Sequence, residues 1–294
     1  MTEILLQQIR KAICNEQEVP PHVKNLMTQL NKKDIPKNRL VALELIVPSY
    51  IKFSEAFKQS VDNPKFSQEL SLAIEEYMVV LKSATCKVFG HQSDFISSVI
   101  PEALHRIFNS ICKKFETSFV VSSQKDVIID CTFDAFNQGR LIFKKKKMDV
   151  SISVPATVKF NNEEYNLGIP VVAIEVKTNL DKNMLSGIEQ SVESLKNTFP
   201  TCLYYNVSEL ADFAVDKQNY ATTKVDEIYI LRKQKRSETR GRNPQPIKQI
   251  DEEVITEVVK NVIEHLRQLD VPVSTLKARM SEGKLINKRS DTFE

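Results

Sequence analysis

Residues 169–177, IPVVAIEVK, form a continuous apolar run that reads as a buried strand. A stretch with Leu185, Ile188, Val192 and Leu195 in one stripe at helical spacing follows it, and then a second strand-like run, TCLYYNV (201–207). Strand, helix, strand in this order implies a right-handed crossover onto a sheet with a parallel portion, and so an α/β core. A further strand is expected at 225–233 (VDEIYILRK). A closing amphipathic helix is expected at 251–269, with Ile255, Val258, Val259, Val262, Ile263 and Leu266 inward.

The residues before this unit change texture near Glu116. Stretches 40–53 and 70–84 carry apolar residues at helical spacing, and 93–115 continues the pattern from an N-cap at Ser93 or Asp94. Pro101 predicts a kink or a junction of two helices. After Glu116 the segments SFVVSS, DVIIDCTF and MDVSISV are short, β-branched and aromatic. In the last, Met148, Val150, Ile152 and Val154 are expected on one face, and Asp149, Ser151 and Ser153 on the other. Residues 156–168 read as a hairpin excursion turning near Asn161-Asn162. The chain thus divides into a helical region over 1–92, a core over 93–270 and a polar tail over 271–294, expected to fray.

Composition excludes several classes. The 294 residues are 41% hydrophobic and 27% charged, with 41 Lys and Arg against 38 Asp and Glu, so local clusters must carry any argument about polyanions. Five scattered cysteines with no CxxC pair favour reduced thiols in a cytoplasm. The first twenty residues mix charges among apolar positions, without a signal-peptide core, and no run approaches membrane-spanning length. Six glycines form neither GxGxxG nor GxxxxGK[ST], so no nucleotide cofactor is expected. There is no HExxH or GxSxG, and His22, His91, His105 and His265 read as surface or packing residues.

Glu175-Val176-Lys177 ends the buried run, with Glu175 and Lys177 pointing to one face. A second E-x-K, Glu282-Gly283-Lys284, lies in the polar tail with no strand around it. Asp149 precedes Glu175 by an interval with room for a hairpin that brings two strand ends together. Two carboxylates beside a lysine suit octahedral Mg²⁺, which takes oxygen ligands and keeps several waters. The Val176 main-chain carbonyl is a candidate further ligand. Lys177 would lower the pKa of a metal-bound water or stabilise charge at the phosphate. The bland alternative is a surface ion pair of little consequence.

This pattern resembles the D…(D/E)xK signature of PD-(D/E)XK nucleases. The text VVAIEVKTNLDKNMLSGIEQSVESLKNTFP, then LYYNVSELADF and DEIYILRKQKRSETR, is similar to type II restriction endonucleases of the BbvCI-like group, over about residues 93–248. The resemblance implies a mixed sheet flanked by helices, prokaryotic origin and Mg²⁺-dependent cutting of duplex DNA. Asp149 and Glu175 would bind metal and Lys177 would help to activate water. Met148 stands where the signature often has proline. Many members add a helix glutamate, for which Glu102 is the candidate. Each site cuts one strand, which implies a dimer or a related second subunit.

Two basic segments are candidate DNA contacts. Within Lys144–Lys147, alternation places Lys145 and Lys147 on the face of Asp149. In the loop 232–248, Arg232, Lys233, Lys235, Arg236, Arg240, Arg242 and Lys248 oppose a single Glu238, with Asn243 or Gln245 placed to read adenine. The alternatives are a solvated strand end and a disordered loop. For the chain as a whole, the rivals are a structure-specific or repair nuclease on the same core and a DNA-binding subunit without catalysis.

Overall fold

The structure, a computed structural model, describes residues 2–14, 19–58, 66–90, 94–134, 139–240, 242–270 and 273–283. Ser93, His91 and Lys284 lie outside them. Six helices come first: α1 (Thr2–Ala12), α2 (Pro21–Leu30), α3 (Lys37–Glu55), α4 (Phe66–Leu81), α5 (Asp94–Ser97) and α6 (Val99–Cys112). Strands β1 (Val120–Asp134), β2 (Arg140–Phe160) and β3 (Glu163–Asp181) follow, then α7 (Lys182–Thr198), β4 (Leu203–Asp212), β5 (Glu227–Ile230), α8 (Glu252–Leu269) and α9 (Val273–Ser281).

The sheet is mixed, in the order β1-β2-β3-β4-β5. β1, β2 and β3 pair antiparallel, whereas β3, β4 and β5 pair parallel. The crossover is α7, which starts where the Asp181 side chain accepts from Met184 N at 2.8 Å. On one face, Val150, Ile152, Val172, Ile174, Tyr205 and Val207 share a core with the N-terminal helices and α8. On the other, Val127, Ile129, Met148, Ala173 and Tyr204 pack with the Leu185–Ile188–Val192–Leu195 stripe of α7. An α/β sheet covered on both faces is the predicted class.

Four local expectations change. The short runs expected before residue 160 merge into a 15-residue and a 21-residue strand. Register shifts leave extra residues in the two partners of β2, Ile129 of β1 and Val171 of β3, and the two ends of β2 meet: Asn161 Nδ2 donates to Gly139 O at 2.6 Å, and the rings of Phe133 and Phe160 lie 5.6 Å apart. Met148 joins the core opposite that of Val150 and Ile152, so the alternation breaks phase at Asp149. Across from that break, Gln124 takes the left-handed φ of 52°. Pro101 lies in the first turn of α6, where its missing N–H would have had no partner, and the helix junction falls at Ser98. The tail carries α9, whose Leu276 and Met280 remain exposed.

Candidate active site

β2 and β3 part company in mid-sheet. They pair from Phe160↔Glu163 as far as Val150↔Ile174, where the ladder stops. Beyond that point β2 continues against β1, with Lys146 opposite Val127, while β3 continues against β4, with Glu175 opposite Asn206 and Lys177 opposite Ser208. Asp149 sits at the fork. Its Oδ2 accepts from Val176 N at 2.8 Å, so a carboxylate satisfies an N–H that the ladder no longer reaches.

Glu175 faces the α7 side of β3, with Ala173 before it and Lys177 after it, and is 5% exposed. The Tyr204 hydroxyl donates to its Oε1 at 2.7 Å, and the Lys146 ammonium pairs with the same oxygen. The Lys177 Nζ lies 3.5 Å from Oε2. Burial raises the Asp149 carboxyl above its ordinary range, against the pull of the Val176 N–H and Lys177. Burial pushes Glu175 the same way, but Lys146, Tyr204 and Lys177 together hold it below the usual carboxylate range. Each acid therefore has one oxygen committed to protein hydrogen bonds. The Asn206 amide donates to the Glu175 carbonyl at 3.4 Å, and its own buried Oδ1 accepts no bond among the described residues.

The model of the Bpu10I restriction endonuclease family matches residues 73–271, from within α4 to the end of α8. The chain belongs to the Bpu10I restriction endonuclease family. A chain of the native BbvCI A2B2 tetramer is structurally similar, with a TM-score of 0.62 and 25% sequence identity over 84% of this chain and 95% of that one. No curated protein sequence matches. The fold is thus of the PD-(D/E)XK restriction-enzyme type, and the family is one of site-specific nucleases.

Within this Bpu10I-family fold, Asp149, Glu175 and Lys177 meet at one place. The lysine at Glu175 is Lys146; Lys145 and Lys147 are exposed, though Lys147 acts on Asp149 through its charge. The phase break at Asp149 moves Lys146 onto the face that strict alternation gives to its neighbours. Tyr204 was hidden in an apolar run where its hydroxyl gave no signal. Among the described residues no group of three or more His, Cys, Asp or Glu side chains converges, so the fork is a two-carboxylate site.

Glu102 is not at the fork. It is fully buried among helices, where Oε2 accepts from His22 N at 3.1 Å and Val23 N at 3.2 Å. Its Oε1 accepts from the Tyr50 hydroxyl at 2.8 Å and from Arg106 Nε at 3.1 Å. Both oxygens are engaged, and the expectation of a metal ligand is withdrawn. His22 is a packing residue that burial keeps neutral, its pKa lowered to about 3.

The basic loop is also largely turned inward. Arg232, 2% exposed, donates to Glu209 at 3.0 Å, to Glu75 at 2.8 Å and to the Lys248 carbonyl at 2.6 Å. It holds the loop to β4 and α4 and cannot reach DNA. Lys233 pairs with Asp251 and Glu253, and Arg236 with Asp212 at 2.7 Å. Lys235 is half-buried beside the bridge to Ala211. Arg240, Arg242, Asn243 and Gln245 have exposed side chains. No helix among the described residues is long and apolar enough to cross a membrane.

Proposed function

We propose that this chain is the catalytic subunit of a Mg²⁺-dependent, sequence-specific type II restriction endonuclease that hydrolyses one strand of duplex DNA per active site. The fork carries this reading. It presents a buried and a half-buried carboxylate, each with one oxygen tied to the fold, beside two ammonium groups. A cation between Asp149 and Glu175 would relieve the cost of burying both charges, which the lysines only partly offset. Two protein carboxylates with the Val176 carbonyl suit an ion that keeps most of its waters. When bound, the ion supplies a water of lowered pKa and charge at the phosphate.

The chain's own groups do the rest. Asp149 and Glu175 hold the ion. Lys177 lies where it can orient the attacking water and offset charge as the phosphate gains it. Lys146 and Tyr204 hold Oε1 of Glu175, so the carboxylate cannot rotate. Arg240, Arg242 and Asn243 are the loop residues that remain available to DNA.

A double-strand break needs a second site, from another copy or a related chain. The two kinds of chain in the BbvCI tetramer favour the related-chain form. The test is plasmid DNA of known sequence in Mg²⁺, with fragment ends mapped. Wild-type protein is expected to cut or nick at one short site. Lys177→Glu should lower the rate by about 10³-fold or more while duplex binding in Ca²⁺ persists. Undiminished cutting by Lys177→Glu would overturn the site. Scattered ends would favour a structure-specific nuclease, and binding without cutting a non-catalytic subunit.

A further inference from the structure

The turn between α2 and α3 carries a basic surface outside the stretch matched by the family model. Residues 24–39 contain Lys24, Lys32, Lys33, Lys37 and Arg39 against a single acid, Asp34. None of the five makes an ion pair among the described residues, and the four lysines are exposed. The loop 232–248 behaves in the opposite way, its first cations being consumed by Glu75, Glu209, Asp212, Asp251 and Glu253. Solvated cations gathered on one surface raise its potential, whereas paired ones do not.

This surface has shape as well as charge. A cleft of about 360 Å³ opens between α2 and the 3₁₀ turn Thr85–Phe89, lined by Gln29, Lys32, Arg39, Val88 and Phe89 among others. Arg39 is half-buried in its wall, with its planar fork of donors uncommitted to any carboxylate among the described residues. Among the described residues the Lys32 ammonium reaches only the neutral Gln29 amide, at 2.7 Å.

A salt bridge ties the end of α4, before the cleft, to β4 on the face of the sheet opposite the one Glu175 and Lys177 point to. At the end of α4, Lys82 pairs with Glu209 at 2.7 Å, and Glu209 follows Ser208, the register partner of Lys177. Six residues on from Lys82 is Val88, so the cleft wall lies within about 21 Å of that anchor. One turn of duplex, about 34 Å, is comparable to that chain-length bound, so a duplex passing the end of the sheet could meet both layers.

We infer that this cleft and its rim bind the phosphate backbone of the same duplex that the fork cuts, with Arg39 and Lys32 as the contacts and Lys33 and Lys37 as the rim. The inference rests on the nuclease reading above. Such contacts fix the protein's register on DNA without reading sequence.

The test uses the full chain and a 30-base-pair duplex in Ca²⁺, with affinity measured from about 50 to 200 mM salt. The double variant Lys32→Gln/Arg39→Gln should flatten the slope of log K against log salt by nearly two, since each lost phosphate contact removes about 0.9. Lys33→Gln/Lys37→Gln should do so less. Melting temperatures should match wild type, because among the described residues none of these side chains makes an ion pair, and Lys32 has only an exposed bond to Gln29. A wild-type salt slope that the first double variant leaves unchanged would overturn the inference and leave the nuclease reading intact. A wild type that neither binds duplex nor cuts it would remove the nuclease reading itself, and the inference with it. Saturable binding of inorganic phosphate, lost in the double variant with the DNA slope unchanged, would assign the cleft to a free phosphate ligand instead.

Discussion

Glu102 and Glu175 are both buried, both lie beside a basic side chain and both accept from a tyrosine hydroxyl, yet their surroundings give them opposite uses. Glu102 sits at the start of α2, where Pro20 provides no side-chain cap, and its carboxylate accepts the first N–H groups of that helix. It is a helix cap supplied from another helix, with Tyr50 and Arg106 filling the second oxygen. Glu175 has two donors on one oxygen, while the other faces Lys177. The lysine side chains around it are 26% and 32% exposed, so solvent and ligands reach the acid through them. A buried acid is open to new chemistry only when an oxygen is left over and a path leads to it.

The sharpest way to break the contrast is to delete each acid. Glu175→Gln is expected to lower cleavage by about 10³-fold or more, with little change in melting temperature. Glu102→Ala takes the carboxylate from buried Arg106 and from two helix N–H groups and should cost about 3–5 kcal/mol, read as a fall of roughly 10 °C, with cutting per folded molecule preserved. Activity assays and thermal melts on both variants check this. A melting point for Glu175→Gln as low as that of Glu102→Ala would erase the distinction.

A milder change sharpens it. Tyr204→Phe keeps the ring but removes one of the two donors that hold Oε1 of Glu175. Calorimetry with Mn²⁺ should show affinity reduced by about 10-fold, as for loss of partners that orient metal ligands. Duplex binding without metal should be unchanged. Equal metal affinity in both proteins would mean that the hydroxyl only fills space.

The smallest effect is in protons. The Asp149 carboxyl titrates above its ordinary range and Glu175 below it. As pH falls, Asp149 takes up its proton earlier than an ordinary aspartate would, so divalent-ion binding must displace that proton and weakens. Calorimetry in two buffers of different ionisation enthalpy should show more proton release near pH 5 than at pH 8. Release that is independent of pH would separate Asp149 from the metal.

Much of this architecture was legible in the chain. The α7 stripe, the inward face of α8 and the buried β3 run follow from spacing, because burial on one face imposes a period. The meeting of Asp149 with Glu175 and Lys177 followed from the hairpin between them. What stayed hidden depends on phase and partnership. Strict alternation assigned Lys145 and Lys147 to the site, and one irregularity at Asp149 placed Lys146 there instead. Arg232 resembled a DNA contact because its partners, Glu75 and Glu209, are far away in sequence. Glu102 was the candidate because many members of the resembled superfamily add a helix glutamate, while the groups that occupy it come from α2, α3 and α6.

The parting of β2 from β3 has a last consequence. Asp149 stands in for a missing rung of the ladder, and that duty needs an acceptor but no charge. An asparagine could keep the bond to Val176 through its amide oxygen while giving up the negative charge that a metal requires. On the proposed reading, a subunit that folds and binds DNA yet leaves its strand whole would be one oxygen-for-nitrogen exchange away, and a cutter would become a nicker without passing through an unfolded protein.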